Sequence, residues 1–239
     1  NTVTGANSAA IGSNVTVSGN NSFAAGVGAT ATAYSSFAFG DGADATGSHS
    51  VAIGGGAIQA SGAQSIAIGY GSDATNSDAH AFGRNAQATG SSSTALGRDA
   101  VATSLRSMAL GDSYASGTDS FAAAISNNTS TYGATAQGAT VIGNTSKGTA
   151  ERAVSIGQAN IASGANSTAI GYLNTSGSTG YTTAIGYYNT ASAAWAMALG
   201  KTCTASHSNS VAIGSSATTT AASQISLGGP TNSVKISTL

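Results

Sequence analysis

HSVAIGGGAIQASGAQSIAIGYGSDATNSDAHAFG, residues 49–83, repeats one phrase three times, closing at Gly54, Gly69 and Gly83. In each copy an alanine stands two places before the glycine, flanked by larger side chains: Val51 and Ile53, Ile66 and Ile68, His80 and Phe82. Taking the glycine as position 0, strand geometry puts positions −3 and −1 on one face and the alanine of −2 on the other. Outward from this stretch the anchor returns at Gly12, Gly26, Gly40, Gly97, Gly111, Gly143, Gly157, Gly171, Gly186, Gly200, Gly214 and Gly228, with Ala124 taking one further place. The step from one anchor to the next is 14 throughout, except 15 before Gly69 and Gly186, 13 before Ala124 and 19 between Ala124 and Gly143. Position −1 is Ile, Leu or Phe in 14 of 16 copies and position −2 is Ala in 13, so one architecture covers nearly the whole chain.

A second alternating element follows the anchor at +3 and +5, as in Val15/Val17, Ala29/Ala31, Ala43/Ala45, Ala86/Ala88 and Ala100/Ala102. Such alternation marks a strand. Between the elements stand Gly42, Gly56, Gly71 and Asn85, then Gly19, Gly47 and Gly90, residue types that tolerate the positive φ of tight turns. Each repeat therefore reads as strand, turn, strand, turn, and a glycine in every repeat penalises a helix. Two short strands cannot bury their own apolar faces, so consecutive repeats must stack in parallel and in register. The expectation is an all-β solenoid of about 15 to 16 turns. Its bulky face, with Phe37, Phe39, Val51, Ile53, Ile66, Ile68, Val211 and Ile213, is expected to fill the narrow interior, leaving the alanine face to be covered by another copy of the chain.

Composition narrows the function. The 239 residues include 33 Gly, one Pro and one Cys, with 6% charged side chains and a net charge of −1. Leu, Ile, Val and Phe number 7, 14, 10 and 5, well under a fifth of the chain and too few for a thick globular core. Seven basic residues without clustering give no footprint for nucleic acid. No run of 18 apolar residues exists, and the opening NTVTGANSAA has neither a basic nor an apolar region, so neither membrane insertion nor an export signal is expected of this segment. Cys203 permits no intrachain disulfide and reads as a small buried hydrophobe. His49, His80 and His207 have no carboxylate partner nearby in sequence, and paired carboxylates, P-loops and calcium nonapeptides are absent. Acyltransferase coils repeat every six residues, a period this chain lacks. No catalytic residue, metal or cofactor is expected, and the chain reads as non-enzymatic.

The phrase stands as NSVAIG at 209–214, HSVAIG at 49–54, QSIAIG at 64–69 and NSTAIG at 166–171. In these words the sequence resembles the head domains of trimeric autotransporter adhesins, typified by the Yersinia adhesin head, from about residue 7 to residue 228. The resemblance implies a left-handed parallel β-roll, a homotrimer, display on the bacterial outer-membrane surface and attachment to host matrix, cells or other surfaces. Residues 1–229 would form the head. Residues 230–239 break the repeat at Pro230 and form a terminal strand or a transition to another domain. The family's neck, stalk and barrel anchor are not seen after Gly228. Similar rolls occur in phage tail fibres, and the Thr30/Thr32 pair is what an ice-binding solenoid would repeat.

A uniform repeat offers the same surface at every level, so selective binding is expected where it varies. The turn after the anchor carries Tyr70, Arg84, Arg98 and Asp112 in one stretch and Tyr172, Leu173, Tyr187, Tyr188 and Lys201 in another. Exposed aromatics are efficient contact residues, which makes Tyr70, Tyr172, Tyr187 and Tyr188 binding candidates. The long interval before Gly143 implies an extruded loop at 127–138, adding Asn127, Asn128 and Tyr132.

Overall fold

A computed structural model of the chain describes residues 1–124, 131–177 and 179–231. It contains two compact units, Asn1–Asp119 and Ser120–Leu239. In the first, strands leading up to the anchor form one parallel column from Ala9–Ser13 to Met108–Gly111. The second strands of the repeats form another, from Thr2–Val3 to Tyr114–Ala115. The second unit repeats this plan, with anchor strands from Phe121–Ala124 to Ile225–Leu227 and short strands from Gly133–Ala134 to Thr204–Ala205. Register follows the repeat, as in Val51↔Ile66↔His80 and Thr183↔Met197↔Val211. The fold is an all-β parallel solenoid, one repeat to a turn, and there is no helix among the described residues.

The interior is the reverse of the one expected from the strand pattern. The −2 alanines, among them Ala38, Ala52, Ala67, Ala81, Ala169, Ala184 and Ala198, are wholly buried. Beside them on the same arm are buried serines at −4 such as Ser22, Ser36 and Ser93, and facing them are the small residues of +3 and +5, such as Ala43, Ala45, Ala86 and Ala88. Phe37, Phe39 and Ile213 are exposed, and Val51, Ile53, Ile66, Ile68 and Val211 are half-buried. Within a single chain these eight are therefore outer-face residues and not the core of the roll. The reason is steric. Two strands joined by tight turns within so short a repeat lie too close for two layers of large side chains, so the small faces of both strands pack together.

The anchor glycine has a steric cause as well. Gly186 has φ 123°, and a Cβ placed there would lie 2.0 Å from the carbonyl oxygen of Gly200 in the next turn. Gly83 has φ 130° and its Cβ would lie 2.4 Å from Gly97 O. Stacked turns approach so closely here that only hydrogen fits.

In the second unit a buried polar ladder reinforces this turn. Asn160, Asn174 and Asn189 occupy +3, wholly buried. Asn174 Nδ2 donates to Ile170 O at 2.9 Å and to Gly186 O of the next turn at 2.7 Å. Its Oδ1 accepts from Asn189 N at 3.0 Å and Asn189 Nδ2 at 2.9 Å. Asn160 and Asn189 cap Gly171 O and Gly200 O in the same way, and buried Cys203 ends the ladder, its N donating to Asn189 Oδ1 at 2.8 Å and its Sγ 3.2 Å from Gly214 O.

Candidate binding surface

Beside the asparagine ladder the strand runs on through the glycine, as it also does at Ala9–Ser13 and Phe23–Val27 of the first unit, where no asparagine stands at +3. Thr168–Tyr172 and Thr183–Tyr187 are five residues long, whereas Ile66–Ile68 and Thr94–Leu96 of the first unit stop at three. The extension puts Tyr172 and Tyr187 in register as a cross-strand pair. Their rings stack with centroids 5.4 Å apart and an interplanar angle of 16°. Tyr188 leans on Tyr187 at 6.4 Å. All three rings are exposed, as is Leu173 beside them. The structure thus gathers three of the tyrosines singled out from sequence into one patch.

The remaining candidates are separate. Tyr70, in the first unit, lies over the turn below it, where a Cβ on Gly56 would fall 2.5 Å from the tyrosine ring. It therefore shields a neighbouring turn, although its outer side is open. Tyr132 lines a shallow cavity of about 310 Å³ with Thr145, Lys147, Ala159, Ile161 and Leu173. Asn127 and Asn128 lie outside the described residues.

Another aromatic pair occupies the opposite turn, five places before the anchor, a position the sequence reading passed over. Tyr181 and Trp195 stack with centroids 4.2 Å apart at an interplanar angle of 5°. The detectable signal was their spacing of one repeat, which superposes them on successive turns. Both adopt the left-handed backbone conformation, φ 53° and 61°, where other repeats place Asn7, Asn21, Asn166 and Asn209 but also His49, Gln64, Arg106 and Arg152.

Charge collects in the first unit instead. Asp99 meets Arg98 at 3.3 Å and Arg84 at 3.9 Å, and accepts from Asn85 Nδ2 at 2.9 Å. Asp119 receives a two-pronged bond from Arg106, whose Nη2 lies 2.9 Å from Oδ2. That hydrogen-bonded cation holds the Asp119 carboxyl below its ordinary range and raises Arg106 in return. These are solvated pairs, individually weak. The outward column of short strands runs Thr2, Thr16, Thr30, then Asp44, Gln59, Asp73 and Gln87, so a threonine ladder is interrupted after three turns. Among the described residues no three His, Cys, Asp or Glu side chains gather as a metal site.

A model of the YadA head domain repeat, each match covering two copies, fits residues 18–43, 31–57, 60–86, 74–100, 88–113, 149–174 and 196–217. The chain belongs to the YadA head domain family. A comparison with curated proteins gives no match. The family matches follow the stretches of regular spacing. Between the last two lies 175–195, which carries Tyr181, Tyr187, Tyr188 and Trp195, so most of the aromatic surface falls in a stretch that the family matches do not cover.

Proposed function

We propose that the chain is a non-enzymatic adhesive head, displayed on the bacterial outer-membrane surface as a homotrimer of left-handed β-rolls that attaches to an extracellular surface or matrix. Family membership supports the adhesive role. The observation that carries the assembly is the outer strand face. Phe37, Phe39 and Ile213 are exposed while alanines fill the interior, and Phe39 alone leaves 53% of its surface in water. Soluble chains cover a continuous apolar face of this kind, and three copies around a threefold axis would do so with a closed ring of identical contacts. The eight residues Phe37, Phe39, Val51, Ile53, Ile66, Ile68, Val211 and Ile213 then form the core of the trimer.

Light scattering should return three times the chain mass of 22.7 kDa. Phe39→Asp combined with Ile68→Asp should dissociate the assembly, since burying large apolar side chains contributes about 1.5–3 kcal/mol each. A stable monomer of the parent chain would refute this assembly.

The Tyr172, Tyr187, Tyr188 patch is the proposed contact surface. Replacing all three with Ser should leave thermal stability nearly unchanged and weaken attachment to immobilised matrix or cells by more than about tenfold. Lost stability with attachment intact would make these rings structural covers.

A further inference from the structure

We infer that the Tyr181–Trp195 stack is a carbohydrate-binding platform for neutral hexopyranose chains. The inference rests on the adhesive reading and gives it a ligand class. Three observations lead to it. First, the rings remain open: Tyr181 is 51% and Trp195 59% exposed. Each ring has one face covered by the other, yet more than half of each residue's surface remains open to solvent.

Second, the fold does not call for these rings. The left-handed conformation belongs to this turn throughout the repeats, and His49, Gln64, Arg106 and Arg152 adopt it as well as Asn and Ser, so the backbone alone selects no aromatic here. Neighbouring turns satisfy the same conformation with Asn166 and Asn209. Two aromatic residues on successive turns, within the stretch unmatched by the family repeat, therefore meet no requirement of the fold.

Third, the surroundings select the ligand. No Asp, Glu, Lys or Arg occurs between Arg152 and Lys201, while this stretch holds four of the eight tyrosines and the only tryptophan. An anionic or cationic ligand would find no opposite charge within this stretch, and Arg152, two turns from Tyr181 in the same column, is already engaged with Asn166 Oδ1 at 2.9 Å and Glu151 at 3.0 Å. A neutral pyranose offers what the stack can take: an apolar face of C–H groups against a ring and hydroxyls for amides and alcohols. Those groups flank the pair. Asn166 and Asn209 stand one turn away on either side in the same turn column, and Thr179 bonds Ser192 O at 3.2 Å alongside. A proline-rich polypeptide is less suited, because such chains dock in grooves between splayed aromatics and a 4.2 Å coplanar stack has no gap.

The test is binding of the parent assembly to an array of neutral and sialylated glycans, with poly-L-proline as a separate probe. The expected result is retention on a set of neutral hexopyranose glycans, at least tenfold weaker for Tyr181→Ser/Trp195→Asn, which carries residue types native to this turn. Trp195→Tyr should restore binding because it keeps the platform. Tyr34→Ser, at an exposed ring of the first unit outside both surfaces, should retain it. Trp195 is also the sole tryptophan, so a neutral glycan retained on the array should change its fluorescence on titration. Attachment to cells or matrix with no glycan retained would overturn this inference and leave the adhesive reading standing. Binding to poly-L-proline that is lost in the double variant, preference for sialylated glycans, or glycan retention unchanged in the folded double variant would each overturn it as well.

Discussion

The same turn is built in two ways in the two units. At +3 the first unit places Ala29, Ala43, Ala86 and Ala100, and the backbone nitrogen of Ala86 reaches its own anchor, Gly83 O, at 3.3 Å. The second unit places Asn160, Asn174 and Asn189 there and satisfies both the anchor carbonyl and the next +3 nitrogen through side chains. The exposed turns differ in parallel: Arg84, Arg98, Asp99, Arg106 and Asp119 in one, Tyr172, Tyr181, Tyr187, Tyr188 and Trp195 in the other. What both units share is the −2 alanine and the anchor glycine. The shared columns specify the coil, and the variable ones are where a repeat protein can acquire a particular surface.

The largest effect should come from the shared column and be equal in both units. Gly83→Ala and Gly186→Ala each force a Cβ to within 2.4 Å and 2.0 Å of the next turn's carbonyl oxygen, at φ values of 130° and 123°. Loss of more than about 4 kcal/mol is expected for each, the range reached when strain and clash combine. Denaturant unfolding followed by circular dichroism checks it. A tolerated alanine at either site would show that the turns can separate and that the glycine column is not what fixes them.

The second prediction separates the units. Asn174→Ala deprives Ile170 O and Gly186 O of a donor, removes the acceptor for Asn189 N and opens a cavity. With buried polar groups costing about 1–3 kcal/mol apiece when left unpaired, a loss of about 3–5 kcal/mol is expected. Trp195 fluorescence reads unfolding in the unit that holds it. The cross-strand register of Tyr172 and Tyr187 should loosen at the same time, because Asn174 bonds Gly186 O, the carbonyl next to Tyr187. Ala86→Gly, in the alanine-built turn, removes no hydrogen bond and should cost far less.

Much of this was legible in the sequence. Anchor spacing revealed the parallel stacking, since a glycine recurring at one fixed interval with Ala two places earlier has few structural solutions. The sense of the interior was not read correctly, although the signal existed. Small residues recur at −4, −2, +3 and +5, two on each arm of the turn, and four small columns can face each other only if they line the inside. Val51, Ile53 and their equivalents carry no such signal, because hydrophobic size indicates burial without saying whether the chain itself or another copy provides it. The exposure of Tyr172, Tyr187 and Tyr188 follows from their place in the turn after the anchor. The Tyr181–Trp195 pair needed the turn geometry, and the asparagine ladder needed the realisation that +3 points inward.

The smallest effect concerns a charge placed in the first unit's outward short-strand column. Asp73 lies in register between Gln59 and Gln87, with Asp44 beyond Gln59. Partial burial raises its carboxyl above the ordinary 3.8. The folded chain therefore holds this proton more tightly than the unfolded chain. Between the ordinary value and the raised one, the folded state binds more protons, so the contribution of Asp73 to stability falls as pH rises. Above that window a fixed penalty remains, and below it the penalty is absent. Asp73→Asn removes the charge and keeps a group that can bond to both glutamines. Its melting temperature should exceed the parent's by about 1–2 °C at pH 7, a shift in keeping with a partly exposed group. The gap should close as the pH falls below about 4. Scans of both proteins from pH 3 to 8, compared as differences so that Asp44 and the other acids cancel, measure this directly. A gap independent of pH would mean that the substitution acts through packing or hydrogen bonding and that the column tolerates its carboxylate without penalty.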